Sequence, residues 1–177
     1  MPTNTREIGF EEFIEGELAR LHGYRVRVAS QFDKALALDR ELVLDFVAHT
    51  QAEEWQKLVT QYGDEAPAQF LARLDAEVKE RGVLSVLREG VRDRGAHIRI
   101  AFWKPESTMN DEAKRDYDGN ILSVMRQVRY SDQNENSIDL VLLLNGLPIF
   151  TIELKNQLTG QSVKDAIRQY QTDRDPK

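Results

Sequence analysis

The sequence predicts an α/β fold: a mixed sheet flanked by helices, with a helical insertion. Three observations point to it. Apolar residues recur at helical spacing near both ends of the chain. Extended, alternating segments cluster between 97 and 155. A long, charged, helical stretch from 33 to 95 separates the first helix from those strands.

Residues 7–22 open the chain as a helix, with Phe10, Ile14, Leu18 and Leu21 as its apolar stripe and Gly23 as its stop. Residues 24–29 read as a short strand or extended link. From 33 to 95 two stretches carry apolar stripes with polar outer faces. Tyr62-Gly63-Asp64 breaks them, and Pro67 suits the first turn of the second. HIRIAFWKP then reads as a strand at 97–103. Residues 104–120, with Pro105, Ser107, Asn110 and Gly119, read as a loop with room for one short helix. ILSVMRQVRY is the next strand, at 121–130. IDLVLLL, at 138–144, is apolar on both faces apart from Asp139 and marks a central strand. Asn145-Gly146 turns the chain into PIFTIELK, a strand at 148–155. Ser162 and Asp165 start a last helix that runs to Arg174, with Val163, Ala166, Ile167 and Tyr170 as its buried stripe.

The chain of 177 residues, 41% hydrophobic and 31% charged, suits one soluble domain. No apolar run is long enough to span a bilayer, so no membrane partner is expected. Cysteine is absent, which excludes disulfides and thiolate zinc sites and fits a reducing cytoplasm. His22, His49 and His97 show no ligand spacing and read as surface or packing residues. The net charge of −6 weighs mildly against nucleic-acid binding. From Asn120 to Lys177, however, seven basic residues balance seven acidic ones, so the deficit lies earlier in the chain.

Candidate chemistry sits on the hairpin. A carboxylate at Asp139, inside an apolar strand, costs several kcal/mol, roughly, unless it is paired or metal-bound. Glu153 and Lys155 occupy comparable positions on the next strand, between Ile152 and Leu154 and beyond. Two carboxylates and an ammonium suit a Mg²⁺ site; a cross-strand salt bridge is the plainer explanation. Parity decides whether the three converge. A two-residue turn at Asn145-Gly146 pairs Leu144 with Leu147 and puts Asp139 opposite Ile152, so the carboxylates part. A three-residue loop pairs Leu143 with Leu147. Asp139 then opposes Thr151, with Glu153 as its diagonal neighbour on one face. The latter register is the one expected of a working site.

An Asp on one strand with Glu-x-Lys on the next is the PD-(D/E)xK nuclease pattern. SIDLVLLLNGLPIFTIELKNQLTGQSVKDAIRQYQTDRDP resembles the nuclease segment of type I restriction enzyme R subunits, the HsdR family. GFEEFIEGELARLHGY, DKALALDRELVLDF and VRYSDQNENSIDL extend the likeness over most of the chain. The resemblance implies a restriction-endonuclease-like fold and a triad of Asp139, Glu153 and Lys155. It also implies that Gln169 is the Gln of a Gln-x-x-x-Tyr motif whose Tyr position is Asp173 here. Ile138 stands where the motif has proline. In such a family the first helix often offers a Glu to the metal, which singles out Glu11 over Glu15 as a third metal-facing acid beside Asp139 and Glu153.

Function follows as expectation. The resemblance implies a Mg²⁺-dependent type I site-specific deoxyribonuclease of the prokaryotic cytoplasm, acting on double-stranded DNA after ATP-driven translocation. Its expected partners are motor domains of the same polypeptide and the modification and specificity subunits. ATP belongs to the full-length subunit, since this chain has no GxxxxGK[ST] loop. The expected organisation is one nuclease domain over 1–177, with its core at 1–32 and 96–177 and the insertion at 33–95. Such an arrangement ordinarily continues into another strand, so a longer motor subunit is expected around it. A stand-alone repair or junction nuclease, or a degenerate docking module that uses 33–95 as its surface, are the alternatives.

Overall fold

A computed structural model describes residues 5–106, 110–131, 135–154 and 163–172. Their order is α1 (Thr5–His22), β1 (Arg25–Arg27), α2 (Arg40–Thr50), α3 (Ala52–Tyr62), α4 (Ala66–Arg81), α5 (Val83–Glu89), β2 (Val91–Asp93), β3 (Ala96–Ile98), α6 (Asp111–Asp118), β4 (Leu122–Arg129), β5 (Ser137–Leu144), β6 (Leu147–Ile152) and α7 (Val163–Thr172). The architecture is mixed α/β, consistent with a restriction-endonuclease-like fold. Its main sheet has the order β1-β4-β5-β6, with β1 parallel to β4 and β4-β5-β6 an antiparallel meander.

The central strand is where the apolar run predicts it. Leu140, Val141 and Leu143 of β5 are buried between β4 and β6. The segment 97–103 departs from expectation. Only Ala96–Ile98 is extended, and it pairs with β2 in a separate two-stranded ribbon. After Ile98 the backbone is held by side chains rather than by a ladder: Gln51 Nε2 donates to Arg99 O at 2.9 Å and Arg99 N donates to Gln51 Oε1 at 2.7 Å. The stretch predicted as helical from 33 to 95 holds α2 to α5 between Arg40 and Glu89, broken at Gln51, at a 3-10 turn over Gly63–Glu65 and at Gly82, and its end, Val91–Asp93, is strand β2 instead. Pro67 lies in the first turn of α4, as expected. The short helix expected within 104–120 is α6, capped by Asn110, whose side chain accepts from Ala113 N at 3.0 Å.

The helical segment shares its core with one end of the sheet. Phe46, Leu58, Phe70, Leu71, Leu74 and their neighbours form one cluster with Ile121 and Leu147. A second, smaller cluster joins Met125, Val128, Val141 and Leu143 to Ala29 and Phe32. The hairpin turn docks directly on the start of α2. Asp39 N donates to Gly146 O at 2.8 Å, and a Cβ on Gly146, whose φ is 86°, would stand 2.5 Å from Asp39 O. Asp39 itself is fully buried. It caps α2 through Leu42 N at 3.2 Å and holds Arg27 of β1 through two nitrogens, at 2.8 and 3.2 Å.

The apolar stripe expected on α1 is buried only in part, with Ile14 and Leu18 half-buried. On α1, Phe10 and Leu21 are 52% and 54% exposed, whereas Glu11 is 2% exposed. The face turned to the sheet is the one that carries acids able to reach polar partners on β4. On α7, Ile167 is exposed. Ser162 lies outside the described residues, as do the side chains of Val163, Asp165, Ala166 and Tyr170.

Candidate active site

The hairpin turn is the tight one. Asn145 and Gly146 take positive φ, 51° and 86°, and Leu144 pairs with Leu147. The three-residue loop expected for a convergent site does not form. With that turn alone, Asp139 and Glu153 would face opposite ways. The ladder, however, shifts between Leu142 and Leu143: Leu143 pairs with Pro148, but Leu142 pairs with Phe150, leaving Ile149 as the extra residue of a β-bulge. The register then runs Val141↔Thr151 and Leu140↔Ile152. Continued by one residue, it sets Glu153 across from Asp139, with both on one face. Asp139 Oδ2 accepts from Leu154 N at 2.7 Å, which holds the chain beyond β6 against β5.

On the other side of Asp139 stands Gln127. The flanking pairs are Arg126↔Leu140 and Val128↔Ile138, and Gln127 between them has φ 52°. That left-handed geometry in mid-strand is costly for a residue with a side chain, on the order of 1–3 kcal/mol. Its amide Nε2 donates to Glu11 Oε1 at 2.8 Å and to Asp139 Oδ1 at 3.3 Å, while Ser137 Oγ donates to its Oε1 at 2.7 Å.

α1 is fixed to β4 by neighbouring contacts. Arg126 pairs with Glu12 at 3.4 Å and with Glu15 at 3.1 Å. Glu15 is therefore committed to an arginine, and Glu11 is the α1 acid turned toward Asp139, as the sequence favoured. Gln127 was absent from the residues singled out by sequence. The signal was there in the adjacent polar pair Arg126-Gln127, which interrupts the alternation of VMRQVRY.

Of the other predicted residues, Lys155 and Asp173 lie outside the described residues, and so does the side chain of Gln169, although α7 includes its backbone. The histidines take no part in the site. His97 Nε2 meets Glu89 O at 2.7 Å, and His49 pairs with Asp45.

Asp139 and Glu153 offer hard oxygen donors. Mg²⁺ ordinarily takes one or two protein carboxylates and completes its shell with water and phosphate, so this donor pair fits it. Among the described residues no group of three or more His, Cys, Asp or Glu converges to hold an ion. Glu11 is linked to Asp139 through the Gln127 amide.

Two cavities lie away from this hairpin end. One of about 590 Å³ is lined by Arg25, Asp45, His49 and Arg115 among others, and one of about 450 Å³ by Phe102, Trp103, Tyr117 and Leu144 among others. No helix among the described residues is long and apolar enough to cross a membrane.

No curated protein and no solved structure matches the chain. A family comparison does: residues 6–177 match the family described as the type I restriction enzyme R protein N terminus. The match spans the hairpin, the sheet, the helical segment and α1 alike, and the chain belongs to that family.

Proposed function

We propose that this chain is a Mg²⁺-dependent endonuclease domain that hydrolyses phosphodiester bonds of double-stranded DNA. The observation that carries the reading is the bulge at Ile149, which sets Asp139 and Glu153 across from each other despite a turn that would part them. Asp139 and Glu153 would hold the cation, with Glu11 behind them. When bound, Mg²⁺ supplies charge neutralisation at the phosphate and a more acidic water. Lys155 is assigned to orienting or deprotonating the attacking water, or to stabilising charge that develops on the phosphate oxygens. Gln169 is assigned to a phosphate or water contact from α7. In the complete R subunit, motor domains of the same polypeptide would drive ATP-dependent translocation, and modification and specificity subunits would select the DNA. Membership in a family of type I restriction enzyme R proteins supports this reading.

Nicking of supercoiled plasmid by the purified chain at high protein concentration tests it. The expected result is nicking that requires Mg²⁺ or Mn²⁺ and disappears in Asp139→Ala and Lys155→Ala. Nicking that survives both substitutions would overturn the assignment.

A further inference from the structure

We propose that Gln127 is the positioning residue of this site: its side-chain amide sets Glu11 against Asp139 so that the α1 acid serves the bound cation. The inference rests on the metal-site reading above and extends it to a residue outside the Asp–Glu–Lys pattern.

The amide is fixed by its three partners. Ser137 Oγ donates to Oε1, which leaves both hydrogens of Nε2 for carboxylates, and Glu11 Oε1 and Asp139 Oδ1 take them. One neutral group thus bridges two acids from distant parts of the chain, one on a helix and one on the central strand. Glu11 is almost fully buried, so its carboxylate needs a donor in place of water. The backbone supports the same conclusion. Gln127 keeps φ 52° within an otherwise regular ladder, a geometry that Gly or Asn adopts more readily. A Gln retained there is explained by what its side chain reaches. Residues that orient metal-facing groups change metal affinity by roughly 10–100-fold when removed.

The test is Mn²⁺ binding to the 177-residue chain, read as free Mn²⁺ by electron paramagnetic resonance. Gln127→Gly accommodates the left-handed backbone and removes the amide together with its two methylenes. It is expected to weaken Mn²⁺ binding by roughly 10-fold or more. Gln127→Asn, which also tolerates positive φ but is one methylene shorter, is expected to weaken binding in the same direction and serves if the glycine variant folds poorly. In a Glu11→Gln background, Gln127→Gly should cost less than it does in the parent, because part of the amide's effect runs through Glu11 and the remainder through its weaker bond to Asp139. Unchanged binding in Gln127→Gly, or losses that multiply independently of Glu11→Gln, would overturn the proposal while leaving the metal-site reading intact. A parent chain whose Mn²⁺ binding is absent, or indifferent to Asp139→Ala, would overturn both.

Discussion

The ladder, continued one residue past Leu140↔Ile152, sets Glu153 across from Asp139 because Ile149 is an extra residue in β6, four positions before Glu153. The tight Asn145-Gly146 turn imposes one parity and the bulge reverses it. Below the bulge every side chain of β6 sits on the face opposite to the one the turn would dictate. The hairpin thereby meets two demands. Its turn end packs Leu147 into the helical core, and the register at its other end puts positions 139 and 153 on one face.

Deleting Ile149 tests this register. The deleted residue is the unpaired one, so Leu142↔Phe150, Val141↔Thr151 and Leu140↔Ile152 should persist and Glu153 should still follow across from Asp139. Circular dichroism is expected to show a folded chain, and Mn²⁺ affinity is expected to stay within about 10-fold of the parent. A larger loss would mean that the bulge itself, and not the register it sets, supports the site.

Asn145 links the turn to the rest of the protein. It is buried, Nδ2 donates to Ile100 O at 2.8 Å and to Asn120 Oδ1 at 2.9 Å, and Oδ1 accepts from Ile121 N at 2.6 Å. Asn145→Ala removes all three bonds and leaves an Ala at positive φ. The expected loss is about 3–5 kcal/mol in urea unfolding. Asn145→Gly relieves the backbone and should lose less than Asn145→Ala.

Arg27 and Asp39 join β1 to the start of α2 at a fully buried carboxylate. Arg27→Ala leaves that charge without its guanidinium, for an expected cost of about 3–5 kcal/mol. Arg27→Lys keeps the charge but loses the two-nitrogen grip, and should fall between Arg27→Ala and the parent. Equal stability of all three in urea would show that Asp39 does not depend on Arg27.

Acid sensitivity should trace in part to Glu54. The Lys57 ammonium, and after it the His97 backbone N–H, hold the Glu54 carboxyl below its ordinary 4.5. A carboxyl depressed in the folded state adds stability that is complete above 4.5 and fades as pH falls through the folded value. Glu54→Gln should therefore show a smaller decline in thermal midpoint between about pH 5 and pH 3 than the parent. An unchanged decline would remove Glu54 from the acid response.

The fold was largely legible because its strands are apolar where buried and its helices are bounded by Gly, Pro and Asn. Three features were not. Ile149 is an ordinary apolar strand residue, and nothing in its type marks a bulge, so the turn pointed to the wrong parity. Half of the stripe expected on α1 is exposed: periodicity scores Phe10 and Leu21 as inward along with Ile14 and Leu18, whereas Arg126 and Gln127 draw Glu11, Glu12 and Glu15 to the sheet. Residues 99–103 alternate like a strand but are tied down by Gln51 and Asn120 instead of a neighbouring strand. The acids of the candidate site stood out because a charge in an apolar strand is costly. Gln127 did not, because a neutral amide carries no such signal.

Anomalous diffraction from crystals of the chain soaked in Mn²⁺ locates the cation itself. A peak is expected in contact with the carboxylates of Asp139 and Glu153, lost in Asp139→Ala. A peak bound elsewhere on the chain, with none between these two residues, would contradict their role as metal ligands.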